Sequence, residues 1–326
     1  MMSPLLGPMS GEPARWIGPL LPALHALRPR QWTKNLIVFA APLFGFSLDA
    51  PVLGRAFAAF ALFCALSSGF YLLNDILDRE TDRRHPVKRH RPIAAGTVPV
   101  PVAWSLAASL VLGSLALGFA MSAGVGALLS LYALLQVAYN AKLKHVVLVD
   151  IIVISTGFVV RAVTGAVATG IELSVWFLVC TEMLALFLAI EKRKAELRRG
   201  GETRGVLRVY SPALLLRMEN VATTGTLMSY ALWCAGLGLE GATTPWMALT
   251  LPLVIYGVFR YQLLGDPGTV PDALDPIRGR RPHAGADETE RPEEILLTDR
   301  PLLIAIVCWA AMAFAVLWLE SRGLIR

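Results

Sequence analysis

Residues 56–92 read AFAAFALFCALSSGFYLLNDILDRETDRRHPVKRHRP, an apolar run that changes at Asn74 into a block of carboxylates and then of cations. Crossing roughly 30 Å of hydrocarbon takes about 20 mainly apolar residues. A helix over 56–76 is that long, so its polar block falls at a membrane surface. If the helix continues to Asp82, then Asn74, Asp75, Asp78 and Asp82 share one stripe, because positions i, i+3, i+4 and i+7 lie on one face. Carboxylates at that spacing repel one another and destabilise a bare helix. A divalent cation removes the conflict, and Mg²⁺ suits the set best. It takes oxygen ligands and is usually held by one or two carboxylates, waters and substrate phosphates. The residues that follow, Arg83, Arg84, Lys88, Arg89 and Arg91 with His85 and His90, are suited to phosphate oxygens that such an ion leaves uncovered. Carboxylates for a metal, then cations for phosphate, is the layout a diphosphate substrate needs. The bland alternative is a solvated charge run that only fixes topology.

The rest of the chain repeats the apolar theme. Spans are expected near 35–53, 56–76, 101–120, 123–141, 146–169, 173–190, 219–238, 244–262 and 301–319. The expected fold is therefore all-α: a polytopic, nine-transmembrane-helix bundle forming one domain over 1–326. A cytoplasmic or interfacial segment (1–34) precedes it, and the loop over 265–300 is long, rich in Pro, Gly and Asp, and partly irregular. Composition agrees, with 55% hydrophobic residues and 17% charged, against about 25% charged in soluble domains. The mean hydropathy is +0.57. Soluble, collagenous, disordered and disulfide-stapled classes are excluded. Cys64, Cys180, Cys234 and Cys308 stand singly in apolar runs and read as small buried hydrophobes. Residues 1–28 do not read as a secretory signal.

The net charge of +6 implies basic cytoplasmic loops or anion sites before it implies nucleic acid, and no nucleic-acid partner is expected. Most of the 30 Lys and Arg fall on the N-terminal segment and the even-numbered loops. Only Arg55, Arg322 and Arg326 fall on the other side, and Arg161 lies within a span. The loaded side is the cytoplasmic one, which gives an N-in, C-out protein of the cell (inner or plasma) membrane with its charged loops facing the cytoplasm.

Further charged clusters sit on that side. Tyr139, Asn140, Lys142, Lys144 and His145 follow the fourth span, and Asp150 opens the fifth. Asp150 suits a second metal or the orientation of a diphosphate; the alternative is a helix-end charge snorkelling to the interface. Arg161 lies mid-span, where an ionisable group is costly and is usually functional or paired. An ion pair with Glu182 and a substrate contact are equally open. Glu191, Lys192, Arg193 and Glu196 either close the site or form a solvated helix face. There is no GxxxxGK[ST], HExxH or GxSxG motif.

Asn74–Asp82 resembles the NDxxDxxxD signature of the UbiA superfamily of intramembrane prenyltransferases, whose members have nine helices with active-site loops on the cytoplasmic side. Segments 27–35 (LRPRQWTKN), 74–96, 139–150, 157–166, 191–197 and 291–302 extend the likeness over nearly the whole chain. They point to the branch that transfers 5-phosphoribosyl from phosphoribosyl diphosphate to a polyprenyl phosphate of decaprenyl type. The resemblance implies that Asn74, Asp75, Asp78 and Asp82 bind Mg²⁺-diphosphate. Lys88, Arg91, Tyr139, Lys144, Lys192 and Arg193 become phosphate ligands, and Lys34 meets the lipid phosphate. Asp150 takes the place of the second acidic motif. Members with aromatic acceptors carry at least two aspartates there, spaced DxxxD, whereas position 154 here is Ile. That departure favours the phosphoribosyl branch over transfer of an isoprenoid to an aromatic or lipid acceptor. The implied partners are a diphosphate-bearing donor, a lipid-phosphate acceptor and membrane lipids. A transporter with intramembrane charges along a pathway is a third reading, and the interfacial place of the acidic stripe argues against it.

Overall fold

Asp49 accepts a hydrogen bond from the backbone N–H of Val52 at 3.0 Å, and a helix of 28 residues starts just after it. That cap is the first structural departure from the expected spans. In the structure, a computed structural model that describes residues 20–198, 205–236, 242–266, 295 and 298–325, the stretch over 35–53 is not one helix. A 3-10 helix runs over Pro29–Phe39, a five-residue α-helix over Ala40–Phe44, and the chain then turns through Phe46 at φ 46°. An Asp at the N-cap satisfies amide groups that no helical carbonyl can reach. A new helix therefore begins at Ala50 instead of the old one continuing.

Among the described residues all regular structure is helical. The α-helices are α1 (Leu20–Ala26), α2 (Ala40–Phe44), α3 (Ala50–Leu77), α4 (Arg79–Arg84), α5 (Val100–Met121), α6 (Ala123–Ala141), α7 (Val149–Thr169), α8 (Val175–Arg198), α9 (Pro212–Cys234), α10 (Leu251–Gly265) and α11 (Arg300–Ser321). Among the described residues six helical segments are long and apolar enough to cross a membrane: α3, α5, α6, α7, the stretch Pro245–Gly265 that ends in α10, and α11. Helices α8 and α9, at 24 and 23 residues, have the length but carry Glu182, Glu191–Lys194, Arg217 and Glu219 among their apolar residues. Residues 1–19 and most of the expected 265–300 loop lie outside the described residues.

The chain divides into two units. The first comprises Met1–Pro29 and Ser67–Gly113. Its apolar core gathers Ala26, Leu72, Ile93, Val98, Ala103 and Ala107. Gly69 lets α3 and α5 approach closely, since a Cβ there would stand 2.7 Å from Val111 Cγ2. The second comprises Arg30–Leu66 and Ser114–Arg326. One of its clusters joins Ile151, Phe187, Ile190, Leu215, Val258 and Leu302, and α8 packs most extensively on α9. Another sets Tyr230, Trp233, Met247 and Leu317 against the aromatic rings of Phe44 and Phe177. The 3-10 stretch and α7 meet backbone to backbone: a Cβ on Gly165 would lie 2.0 Å from the Val38 carbonyl oxygen, so only glycine fits.

Candidate active site

Helix α3 stops at Leu77, Asp78 forms a turn, and α4 resumes at Arg79. The expected uninterrupted helix is therefore broken at Asp78. The hydrogen-bond ladder nevertheless passes through the break, with Asp78 N–H bonded to Asn74 O (2.9 Å) and Asp82 N–H to Asp78 O (2.8 Å). Because the i→i−4 spacing survives, Asp75 and Asp82 still end up on one side. Both are buried, and both accept from one guanidinium nitrogen: Arg91 Nη1 lies 3.0 Å from Asp75 Oδ1 and 2.7 Å from Asp82 Oδ2. Arg28 Nη2 also donates to Asp75 Oδ1, at 2.5 Å, with its guanidinium carbon 5.1 Å from the centre of the Tyr71 ring. The loop behind is pinned by Arg83 Nε donating to the Ala94 carbonyl at 3.1 Å. Asn74 and Asp78 are half-buried, Lys88 is exposed, and Asp78 makes no side-chain hydrogen bond or ion pair with a described residue.

These residues fit a divalent cation. Two carboxylate oxygens converge on one positively charged point, the Arg91 nitrogen, and a third carboxylate, that of Asp78, lies between them in sequence without a side-chain partner among the described residues. Among the described residues no group of three or more His, Cys, Asp or Glu is gathered tightly enough to hold a metal unaided. The set matches an ion that keeps waters and takes substrate phosphate oxygens as ligands. Arg28 was not singled out by sequence reasoning; its signal was a place in the LRPRQWTKN segment.

In the second unit Asp150 is the centre of a buried network. Arg193 Nε donates to Asp150 Oδ2 at 2.8 Å and the Tyr210 hydroxyl donates to Asp150 Oδ1 at 2.8 Å. The Tyr210 oxygen in turn accepts from the backbone N–H of Leu148 at 2.7 Å. Arg193 Nη1 is paired with Glu196, and Nη2 lies 3.5 Å from the Tyr139 hydroxyl. Asp150 and Arg193 are each 1% exposed. Burial and the Asp150 carboxylate push the Tyr210 phenol up to about 12 against the lowering effect of the Leu148 N–H, and Arg193 is raised by Glu196, Tyr139 and Asp150 against its desolvation. Lys144 and Lys192 are half-buried near this network in sequence, and Lys34 donates to Gln31 at 2.6 Å. Nothing in the sequence marked Tyr210, whose role depends on a fold-level contact 60 residues from Asp150.

Arg161 has no carboxylate partner among the described residues, and the ion pair with Glu182 weighed above is not formed. Its Nε donates to Asn35 Oδ1, Nη1 to the Gly157 carbonyl and Nη2 to the Tyr132 hydroxyl, each at 2.7 Å. The rings of Tyr132, Phe158 and Phe63 surround the guanidinium at 4.7, 5.3 and 5.7 Å. Cation–π attraction replaces part of the solvation that the charge loses. Glu182 accepts instead from Ser155 Oγ, at 2.6 Å.

Glu191 does not join the Asp150 network either. Its Oε1 accepts from Lys194 Nζ (2.6 Å), Lys194 also donates to Glu219, and Gln262 Nε2 donates to Glu219 Oε1 at 2.8 Å. The cluster ties α8 to α9 and α10. Two carboxylates share one ammonium, and Glu191 Oε2 is buried with no hydrogen-bond donor among the described residues. Burial pushes the Glu191 carboxyl up to about 7, against the pull of Lys194. A carboxyl raised in the folded chain stabilises it fully below the unfolded value of 4.5 and loses that contribution as pH rises through about 7. Each unit of separation is worth about 1.4 kcal/mol. Glu191→Gln should therefore flatten the fall in melting temperature between pH 5 and pH 7.5, measured in detergent by thermal unfolding. An unchanged slope would contradict the assignment.

The chain matches the UbiA prenyltransferase family over residues 36–272. It is 36% identical to a decaprenyl-phosphate phosphoribosyltransferase of Mycolicibacterium smegmatis, covering 97% of this chain and 98% of that one. To the enzyme of the same name from Corynebacterium glutamicum it is 38% identical, covering 88% and 83%. A UbiA homologue of Archaeoglobus fulgidus, solved with GPP and Mg²⁺, shares the fold at a TM-score of 0.65 and 19% identity, over 90% of this chain and 99% of that one. With six apolar helices of crossing length and a match over most of its length, this multi-pass membrane protein belongs to the UbiA prenyltransferase family.

Proposed function

We propose that the protein transfers 5-phosphoribosyl from phosphoribosyl diphosphate to a polyprenyl phosphate of decaprenyl type and releases diphosphate. The observation that carries this reading is the convergence of Asp75 and Asp82 on Arg91, carboxylates for a metal set directly against a cation for phosphate. The relatives named decaprenyl-phosphate phosphoribosyltransferase support the choice of donor and acceptor. So does the lone Asp150, where aromatic-acceptor members carry a pair.

Asn74, Asp75, Asp78 and Asp82 would hold Mg²⁺, which when bound supplies positive charge to the departing diphosphate. Arg91 and Lys88 take phosphate oxygens as the bond from the anomeric carbon to diphosphate oxygen breaks. The acceptor is already an anion, so its phosphate oxygen forms the new bond to that carbon without a strong general base. Lys34 is assigned to the acceptor phosphate, and Tyr139, Lys144 and Lys192 to further phosphate oxygens. Arg161, enclosed by Asn35 and the rings of Tyr132, Phe158 and Phe63, serves the fold and not the substrate. The nine-span topology, the cytoplasmic N-terminus and the site facing the cytoplasm, in the inner or plasma membrane, belong to the same proposal. Helices α8 and α9 supply two of the three remaining spans, and the broken stretch over 35–53 supplies the other.

Purified protein given Mg²⁺, labelled phosphoribosyl diphosphate and polyprenyl phosphate should pass label into the lipid phase. Chelation should abolish the transfer and added Mg²⁺ restore it. Label entering lipid only from a prenyl diphosphate would establish the other reading, isoprenoid transfer to an aromatic or lipid acceptor, which the fold shared with the GPP-bound homologue also accommodates.

A further inference from the structure

The family resemblance gives Asp150 the place of a second acidic motif, whose charge suits the orientation of a diphosphate or a second ion. The residues present do not fit such an ion. Both carboxylate oxygens of Asp150 are taken, Oδ1 by the Tyr210 hydroxyl and Oδ2 by Arg193 Nε, each at 2.8 Å. The residue is 1% exposed, the residue one turn on is Ile154, and the nearest acid in the network, Glu196, is paired with Arg193. A carboxylate with both oxygens taken has none left for an ion, unlike Asp75 and Asp82, each of which has only one oxygen engaged by a described side chain. Freeing Asp150 would strand a buried Arg.

We infer that Asp150 and Tyr210 are positioning residues, not metal ligands, and that they set the place of Lys144 for a donor phosphate. Lys144 lies in the 3-10 turn Leu143–His145, between α6 and α7. Both ends of that connection are tied to Asp150. On the α6 side, Arg193 runs from Asp150 to the Tyr139 hydroxyl. On the α7 side, Tyr210 bridges Asp150 to the N–H of Leu148, whose φ of +69° is unusual for a residue with a branched side chain and needs such a hold. Lys144 itself is half-buried and has no ion-pair partner among the described residues. The turn is fixed while its cation is left available, which is the arrangement a preorganised phosphate ligand requires. The inference rests on the diphosphate-donor reading above for its ligand, but the metal count does not.

The test uses the full chain in lipid nanodiscs. Mn²⁺ binding is counted by electron paramagnetic resonance with inorganic diphosphate present. At saturation Asp150→Asn should bind as many Mn²⁺ ions as the wild type, whereas Asp75→Asn should lose binding; an ion lost in Asp150→Asn overturns the inference. Tyr210→Phe keeps the ring and should raise the donor KM about tenfold, one charged-group hydrogen bond, with the acceptor KM unchanged. In a Lys144→Ala background the same substitution should have almost no further effect, because it acts through Lys144. An equal effect in both backgrounds, or an equal change in both KM values, marks a merely structural role and also overturns it. A wild-type protein that moves no label from phosphoribosyl diphosphate refutes the donor reading instead, and the Mn²⁺ count still decides the place of Asp150.

Discussion

Asp78→Asn should lower turnover by about a thousandfold, and Asp75→Asn by as much, in labelled-donor assays on purified protein. An ion that neutralises a leaving diphosphate contributes several kcal/mol to the transition state, and each 1.4 kcal/mol is about a factor of ten in rate. The two substitutions probe different things. Asp75 is 2% exposed and holds Arg28 and Arg91, so its loss also releases two guanidinium groups. Asp78 makes no such contact with a described residue, and its replacement removes a charge without removing any described side-chain bond. Asp78→Asn should therefore melt and elute like the wild type while being inactive. Activity above a tenth of wild type in a folded Asp78→Asn protein would undo the metal assignment.

Arg193→Ala should destabilise the fold more than any exposed substitution, by about 3–5 kcal/mol, the usual consequence of removing one partner from a buried ion pair. The guanidinium is the only cation joined to both Asp150 and Glu196 among the described contacts, and it is 1% exposed. Without it Asp150 is left charged in a dry interior with one phenol donor. Thermal unfolding in detergent is the measurement. Asp150→Asn should recover part of the loss in the double variant, because an amide needs no counter-ion. Arg193→Lys should fall between, since an ammonium keeps the charge but not the fork that reaches Asp150, Glu196 and Tyr139 together. A melting point for Arg193→Ala within a degree or two of wild type would show that the network carries little of the stability.

The long apolar runs made the helical fold legible, because a continuous hydrophobic stretch has few physical solutions in a membrane. What composition hid was the interruption over 35–53. Hydropathy counts Phe44, Gly45 and Phe46 as apolar and does not register that Asp49 caps a new helix. That Asp75 and Asp82 share a face was legible from periodicity, and the break at Asp78 did not separate them because the ladder bridges the turn. Partner choice was not legible. Arg161 and Glu182 looked complementary in charge, yet Arg161 found an amide, a phenol and a carbonyl, and Glu182 found a serine. Sequence spacing says which residues share a helix face. It does not say which neighbouring helix that face meets, and so Tyr210 and Arg28 surfaced only with the fold.

The solvation of Arg161 also bears on how the chain is made. A lone arginine near the middle of a segment such as α7 adds about 2.5–3.5 kcal/mol to the cost of inserting that segment into a bilayer. Among the described residues, the side chains that offset this cost from other segments, those of Asn35, Phe63 and Tyr132, all precede Arg161 in the sequence. During synthesis they have already left the ribosome when α7 reaches the translocon. The segment can then partition sideways onto waiting hydrogen-bond acceptors and ring faces instead of entering lipid alone. A chain permuted so that α7 emerged first would lack that reception and should be retained or degraded, although every native contact were still available to it at the end.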